Sequence, residues 1–106
     1  MSLVSRWGLS VDDPTVEDLR HALDELDEAD DEHPDAWVSH ESGWTLSAFG
    51  TGLLIWSDLE SSHRHMLKVS RSRMLALWMR LRDGDLAAVE AEPWQPGTPS
   101  TERESD

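Results

Sequence analysis

His63 and His65 are the residues whose spacing most readily suggests chemistry. On a strand, side chains two apart project from one face, as two ligands of one metal ion must. His40 or Glu41 would supply a third ligand. Zinc needs three or four ligands in a defined geometry, and nothing in the sequence fixes the rest of that set. Leu67 and Val69 share the expected face with the two histidines, which favours imidazoles packed in a sheet over a metal site. A small metal-binding or hydrolytic protein using His63, His65 and His40 therefore stands as the alternative reading, and no metal or cofactor is expected.

Other routes to catalysis find less. There is no cysteine, so thiolate chemistry, thiolate metal sites and disulfides are excluded. Ser39, Ser42 and Ser47 lie near His40, but no G-x-S-x-G elbow presents a nucleophile. No glycine-rich loop of the phosphate-cradling kind occurs. Glu41 beside His40 reads as an exposed pair at a hairpin tip. Acids are so numerous that a carboxylate pair for acid–base work can be proposed almost anywhere, which gives such pairs no weight. The expectation is a protein without enzymatic activity and without a catalytic residue.

Charge is more informative. The 106 residues carry a formal net charge of −13. That disfavours nucleic acid and anionic membrane as partners and favours either plain solubility or a basic protein. The distribution is uneven: between Asp12 and Asp35 twelve acids face one base, Arg20, whereas six bases and no acid lie between Arg64 and Arg82. One side of the folded body should therefore be strongly negative. Asp24, Asp27, Glu28, Asp30, Asp31 and Glu32 are the candidate partner-binding residues, through charge-assisted hydrogen bonds to Lys or Arg. The competing reading is a solvated acidic face. Trp37 is the exception among the six tryptophans: it points opposite to Ala36 and Val38 and is the indole expected on an exposed face, while most of the tryptophans are expected in the core.

These residues must be positioned by short elements. The centre of the chain, from Trp37 to Trp56, reads as strands AWVSH, WTLSAF and LLIWS separated by ESG and GTG. Trp44, Leu46 and Ala48 alternate with Thr45, Ser47 and Phe49, the period of a strand with two unlike faces. Gly50 and Gly52 suit a tight reversal. A strand is expected over residues 3–10, with Leu3, Ser5, Trp7 and Leu9 on one side, and another over 63–69. Val16, Leu19, Leu23 and Leu26 form the apolar stripe of a helix from Thr15 to Ala29, begun either by an acid cap ahead of Pro14 or by Thr15 with Asp18. Acids near the end of that helix oppose its macrodipole. Ser70 caps a second helix, whose stripe is Met74, Leu77, Trp78 and Leu81, and Gly84 ends it. Asp85 caps a short third segment, after which Trp94 folds back.

The expected fold class is α+β, an antiparallel sheet of four to five strands with two main helices packed on one face. Residues 1–94 form one domain, and 95–106 form a disordered polar tail. The longest apolar run, Leu53 to Trp56, is far below the ~20 residues of a membrane helix, and MSLVSRWGLS is no signal peptide. A cytoplasmic monomer or homodimer is expected, and a homodimer of other function is a further alternative.

Two stretches, ESGWTLSAFGTGLLIWSDLE (41–60) and RHMLKVSRSRMLALWMRLRDGDLAAVEAEPWQPG (64–97), resemble the Imm1 group of bacterial immunity proteins. The likeness spans roughly residues 15–97 and rests on strand–glycine–strand hairpins and a last helix closing on a tryptophan: Gly50, Gly52, Trp56, Gly84 and Trp94. The resemblance implies an α+β domain without enzymatic activity that neutralises a toxin, notably a nucleic-acid deaminase, by binding it. The matching positions are turns and core, so no partner-contact residue carries over.

Overall fold

A computed structural model describes residues 1–28, 35–58 and 63–96. The fold is α+β. Among the described residues, seven strands form one sheet in the order β2-β1-β3-β4-β5-β6-β7, with every neighbouring pair antiparallel. They are β1 (Ser2–Val4), β2 (Ser10–Asp12), β3 (Asp35–Ser39), β4 (Thr45–Phe49), β5 (Leu54–Ser57), β6 (His63–Met66) and β7 (Gln95–Pro96). Three helices accompany them: α1 (Val16–Glu25), α2 (Arg71–Arg82) and α3 (Leu86–Glu90). The strand count exceeds the expected four to five because both ends of the chain add short edge strands.

The N-terminal addition corrects the expected strand over 3–10. The chain reverses at Ser5–Leu9, where Ser5 N–H donates to the Leu9 carbonyl and Gly8 N–H to that of Ser5. Leu3 thus faces the core while Trp7 and Leu9 stay at the turn, 49% and 67% exposed. At the other end, Trp94 donates its indole N–H to the Val89 carbonyl at 2.7 Å. That docking lays Gln95 and Pro96 beside His65 and Arg64 as the short strand β7. Residues 97–106 lie outside the described residues. Both edges are short, and one carries Pro96, features that blunt pairing with another chain.

The helix-facing side of the sheet follows strict alternation. Ala36 and Val38, Leu46 and Ala48, and Leu54 and Trp56 are all fully buried and stand opposite one another across three strands. Leu19, Ala22 and Leu23 from α1, Leu26 just after it, and Met74, Leu77, Trp78 and Leu81 from α2 close over them. Trp78 also satisfies its indole N–H on the Leu46 carbonyl at 3.1 Å, tying α2 to the middle of the sheet.

The helix ends show which local signals won. Thr15 caps α1 in a capping box: its hydroxyl accepts from Asp18 N–H, and the Asp18 carboxylate accepts from Thr15 N–H. Ser70 accepts from Arg73 N–H and Asp85 from Ala88 N–H at the starts of α2 and α3. The first helix stops at Glu25, short of the expected Ala29, with Leu26 to Glu28 in a turn.

Strand β6 also ends early, at Met66. Lys68 takes a left-handed φ of 58°, Leu67 turns out to 50% exposure, and Val69 enters the core. The cause lies across the sheet, where Val69 N–H donates to the Gly52 carbonyl at 2.8 Å. Gly52, with φ of 96°, lets the β4–β5 turn approach so closely that a Cβ there would meet Lys68 Cα at 3.3 Å.

Candidate functional site

The acidic end of α1 meets two arginines from distant parts of the chain. Arg6, 5% exposed, reaches from the β1–β2 turn and donates to the carbonyls of Glu25 and Glu28, the latter at 2.7 Å. Arg71, at the first position of α2, donates to the carbonyls of Gly50 at 2.9 Å and Leu26 at 3.4 Å. Its Nε also lies 3.0 Å from Asp27 Oδ1. A helix leaves its last carbonyls unsatisfied and its C-terminus partly negative. Two guanidinium groups supply both the missing donors and the opposing charge. This offsets the macrodipole penalty expected for the acids at that end.

The joint around Arg71 is close-packed. A Cβ on Gly50 would stand 2.7 Å from the Leu26 carbonyl oxygen, closer than carbon and oxygen can approach. Glycine at this position lets the β4–β5 turn seat against the end of α1. The helix end is thereby fixed to the sheet, and its carboxylates are displayed from a rigid base.

The structure places the expected partner-binding residues as follows. Asp24 and Glu28 are exposed. Asp27 is exposed as well, at 63%, with one oxygen engaged by Arg71. Asp30, Asp31 and Glu32 lie outside the described residues. Trp37 sits on the sheet face away from the helices, half-buried, in a cross-strand row with Ser47, Ile55 and His65. Trp37 thus points away from the core, but Trp7 is more exposed. Alternation within a strand sets the side of Trp37, whereas the exposure of Trp7 comes from a turn.

The histidines are spread apart. His63 and His65 share the face away from the helices, the first exposed and the second buried to 1%. His40 follows β3, three strand spacings of about 4.8 Å from β6, and its Nδ1 lies 2.8 Å from Ser42 Oγ in the β3–β4 turn. Those spacings are far longer than any shared first coordination sphere allows. Among the described residues, no group of three or more His, Asp or Glu side chains is disposed to hold a metal ion.

A polar cluster at the opposite end of the sheet was not expected from sequence. Glu90 accepts from Arg64 through both carboxylate oxygens, at 2.8 and 3.2 Å, and from the Trp56 indole N–H at 3.0 Å. Trp56 stacks on Trp44 at 4.4 Å between centroids and on Trp94 at 6.3 Å, and Arg64 lies over the Trp44 ring. The Arg64 hydrogen bonds hold the Glu90 carboxyl below its ordinary value, the Trp56 N–H adds to this, and partial burial opposes it. Burial pushes the Asp35 carboxyl the other way, above its ordinary value, against a backbone hydrogen bond. The Trp–Glu–Arg cluster closes α3 onto the sheet; Arg64 and Glu90 satisfy one another and the buried indole.

Surface grooves lie among the described residues. One of about 210 Å³ lies between α1 and α2, one of about 450 Å³ between α2 and α3, and one of about 130 Å³ between the β1–β2 hairpin and α1. Two are below the ~300–1,000 Å³ of small-molecule pockets. The third, beside α3, is edged by Arg73 and Glu92, which pair with one another. No helix among the described residues is long and apolar enough to cross a membrane. Comparison with protein-family models, curated proteins and solved structures gives no match.

Proposed function

We propose that this chain is a non-enzymatic immunity-type protein that binds and neutralises a basic protein partner, a nucleic-acid-targeting toxin domain. One observation carries the reading: Asp24, Asp27 and Glu28 are exposed at the end of α1, where Arg6 and Arg71 cap backbone carbonyls and Arg71 also engages one oxygen of Asp27. The helix end is thus stabilised through its backbone, and Asp24, Asp27 and Glu28 remain at the surface. Such a surface steers encounters with positive partners and penalises negative ones. A protein that handles nucleic acid must itself present a positive cleft, which makes it a fitting target. The resemblance of residues 41–60 and 64–97 to the Imm1 group supports the same class, and cytoplasmic residence would suit a protein that protects the cell producing the toxin.

The test is co-expression with a basic, nucleic-acid-targeting toxin domain sought among the neighbouring genes. Protection of the host and recovery of a one-to-one complex are the expected results. Undiminished toxicity together with no complex between the purified proteins would reject the reading.

A further inference from the structure

The groove between the β1–β2 hairpin and α1 combines features that the acidic surface alone does not have. Its floor is apolar, made by Leu3 and Ala22, and Val11 and Leu9 extend that surface outward. Its rim carries Asp18 and Glu25. These acids are seven residues apart on α1, two turns of the same face, with Ala22 between them. Asp18 uses one oxygen in the capping box, and one oxygen of Glu25 faces His21 Nε2 at 3.5 Å. A carboxylate has about four acceptor sites on two oxygens, so both retain capacity.

Leu9 stands 67% exposed on the wall of this groove, and Trp7 stands 49% exposed two residues earlier. Single exposed apolar residues are ordinary, but these two share one five-residue turn held against α1 by Arg6. The groove is therefore preformed, which reduces the ordering cost of binding. An apolar trough with an anionic rim is complementary to a lysine or arginine side chain, whose stem is apolar and whose head is cationic. At about 130 Å³ it suits one side chain rather than a cofactor.

We infer that this groove receives a lysine or arginine side chain of the basic partner, with the stem against Leu9, Val11 and Ala22 and the head between Asp18 and Glu25. Trp7 forms an apolar anchor beside it. This rests on the reading of the chain as a binder of a basic protein, and it assigns that surface a specific pocket in place of a diffuse charge.

The experiment uses the full chain and two eight-residue peptides of equal charge, one of lysine and one of diaminobutyrate, whose stems are two methylenes shorter. Burial of one stem in the groove predicts that the lysine peptide binds on the order of tenfold more tightly. The lysine peptide should shift the amide resonances of Leu9, Ala22 and Glu25. Leu9→Ser, which alters an exposed side chain, should reduce the preference to about twofold or less without changing the circular dichroism. Equal affinities for the two peptides, or a preference unchanged by Leu9→Ser, would overturn the groove. If binding were then still weakened by Asp24→Asn with Glu28→Gln, the acidic-surface reading would stand without it. Absence of binding by either peptide at low salt would remove both.

Discussion

Arg71 Nε holds the carboxylate of Asp27 at 3.0 Å while its Nη2 donates to the carbonyls of Gly50 and Leu26. One side chain thus joins the end of α1, the β4–β5 turn and the start of α2. Replacing Arg71 with Ala should lower unfolding free energy by about 1–3 kcal/mol, because it leaves these carbonyls without their charged donor. Asp27→Asn should cost no more than about 1 kcal/mol, since the pair is largely solvated on the acid side. Urea unfolding of both variants measures the difference, and equal losses would contradict the assignment of the carbonyl contacts as the larger contribution.

Gly50→Ala tests the same joint from the other side. Its methyl would collide with the Leu26 carbonyl, whose backbone cannot withdraw without moving the end of α1. A loss of about 1–3 kcal/mol is expected, read as a fall of roughly 4–8 °C in Tm per kcal/mol for a domain of this size. A melting temperature equal to the parent's would mean that the two segments are not in this contact.

Much of this fold is legible in the sequence, and the missing parts share a cause. The alternation in β4, the capping signals at Thr15, Ser70 and Asp85 and the stripes of α1 and α2 are local, and each appears in the structure. Arg6 and Arg71 act on carbonyls 19 to 45 residues away in the chain, and no local pattern marks such a cap. The apparent alternation of Leu3, Ser5, Trp7 and Leu9 misled because Gly8 sits within it, at a φ of 84°. That glycine was the available signal for a turn. The early end of β6 likewise depends on Gly52, a strand away. Of the candidate site, charge was legible and the apolar groove beside it was not, since the groove requires the hairpin to fold against α1.

Arg6→Ala should destabilise the protein by about 1–3 kcal/mol and loosen the N-terminal hairpin from α1. Amide hydrogen exchange gives the sharper readout: protection should fall at Ser5 and Gly8, whose N–H groups bond within the turn, and in the last turn of α1. Unaltered exchange at these positions would show that the buried guanidinium does not fasten the hairpin.

Glu90 and Asp35 should make opposite contributions to pH dependence. The folded-state value of Glu90 is depressed, so its contribution is present above the unfolded value and is lost as pH falls through the lower folded one. Glu90→Gln should therefore be most destabilising near neutrality, with the difference shrinking in acid. The folded-state value of Asp35 is raised, so its contribution is fully present below the unfolded value and is lost as pH rises through the higher folded one. Asp35→Asn should consequently stabilise the neutral protein relative to the parent and converge with it in acid. Denaturant midpoints between pH 3 and pH 7 distinguish these trends, and a pH-independent difference for either variant would contradict its assigned cause.

Exposed Trp7 should dominate the quencher-accessible fluorescence, because Trp56 and Trp78 are fully buried and Trp44 and Trp94 stack against Trp56. Trp7→Phe should remove most acrylamide quenching and shift the remaining emission to shorter wavelength. Quenching that survives this change and disappears with Trp37→Phe would place the accessible indole on the open sheet face instead.

The most direct test of the docking surface is the association rate with a basic toxin domain that the chain is found to bind, followed as salt is raised. Asp24→Asn with Glu28→Gln alters two exposed carboxylates and none of the described contacts that hold the fold. The account predicts that association of the parent slows steeply with salt, and that the variant associates more slowly at low salt and responds less to its increase. Identical rates and salt slopes for parent and variant would contradict it.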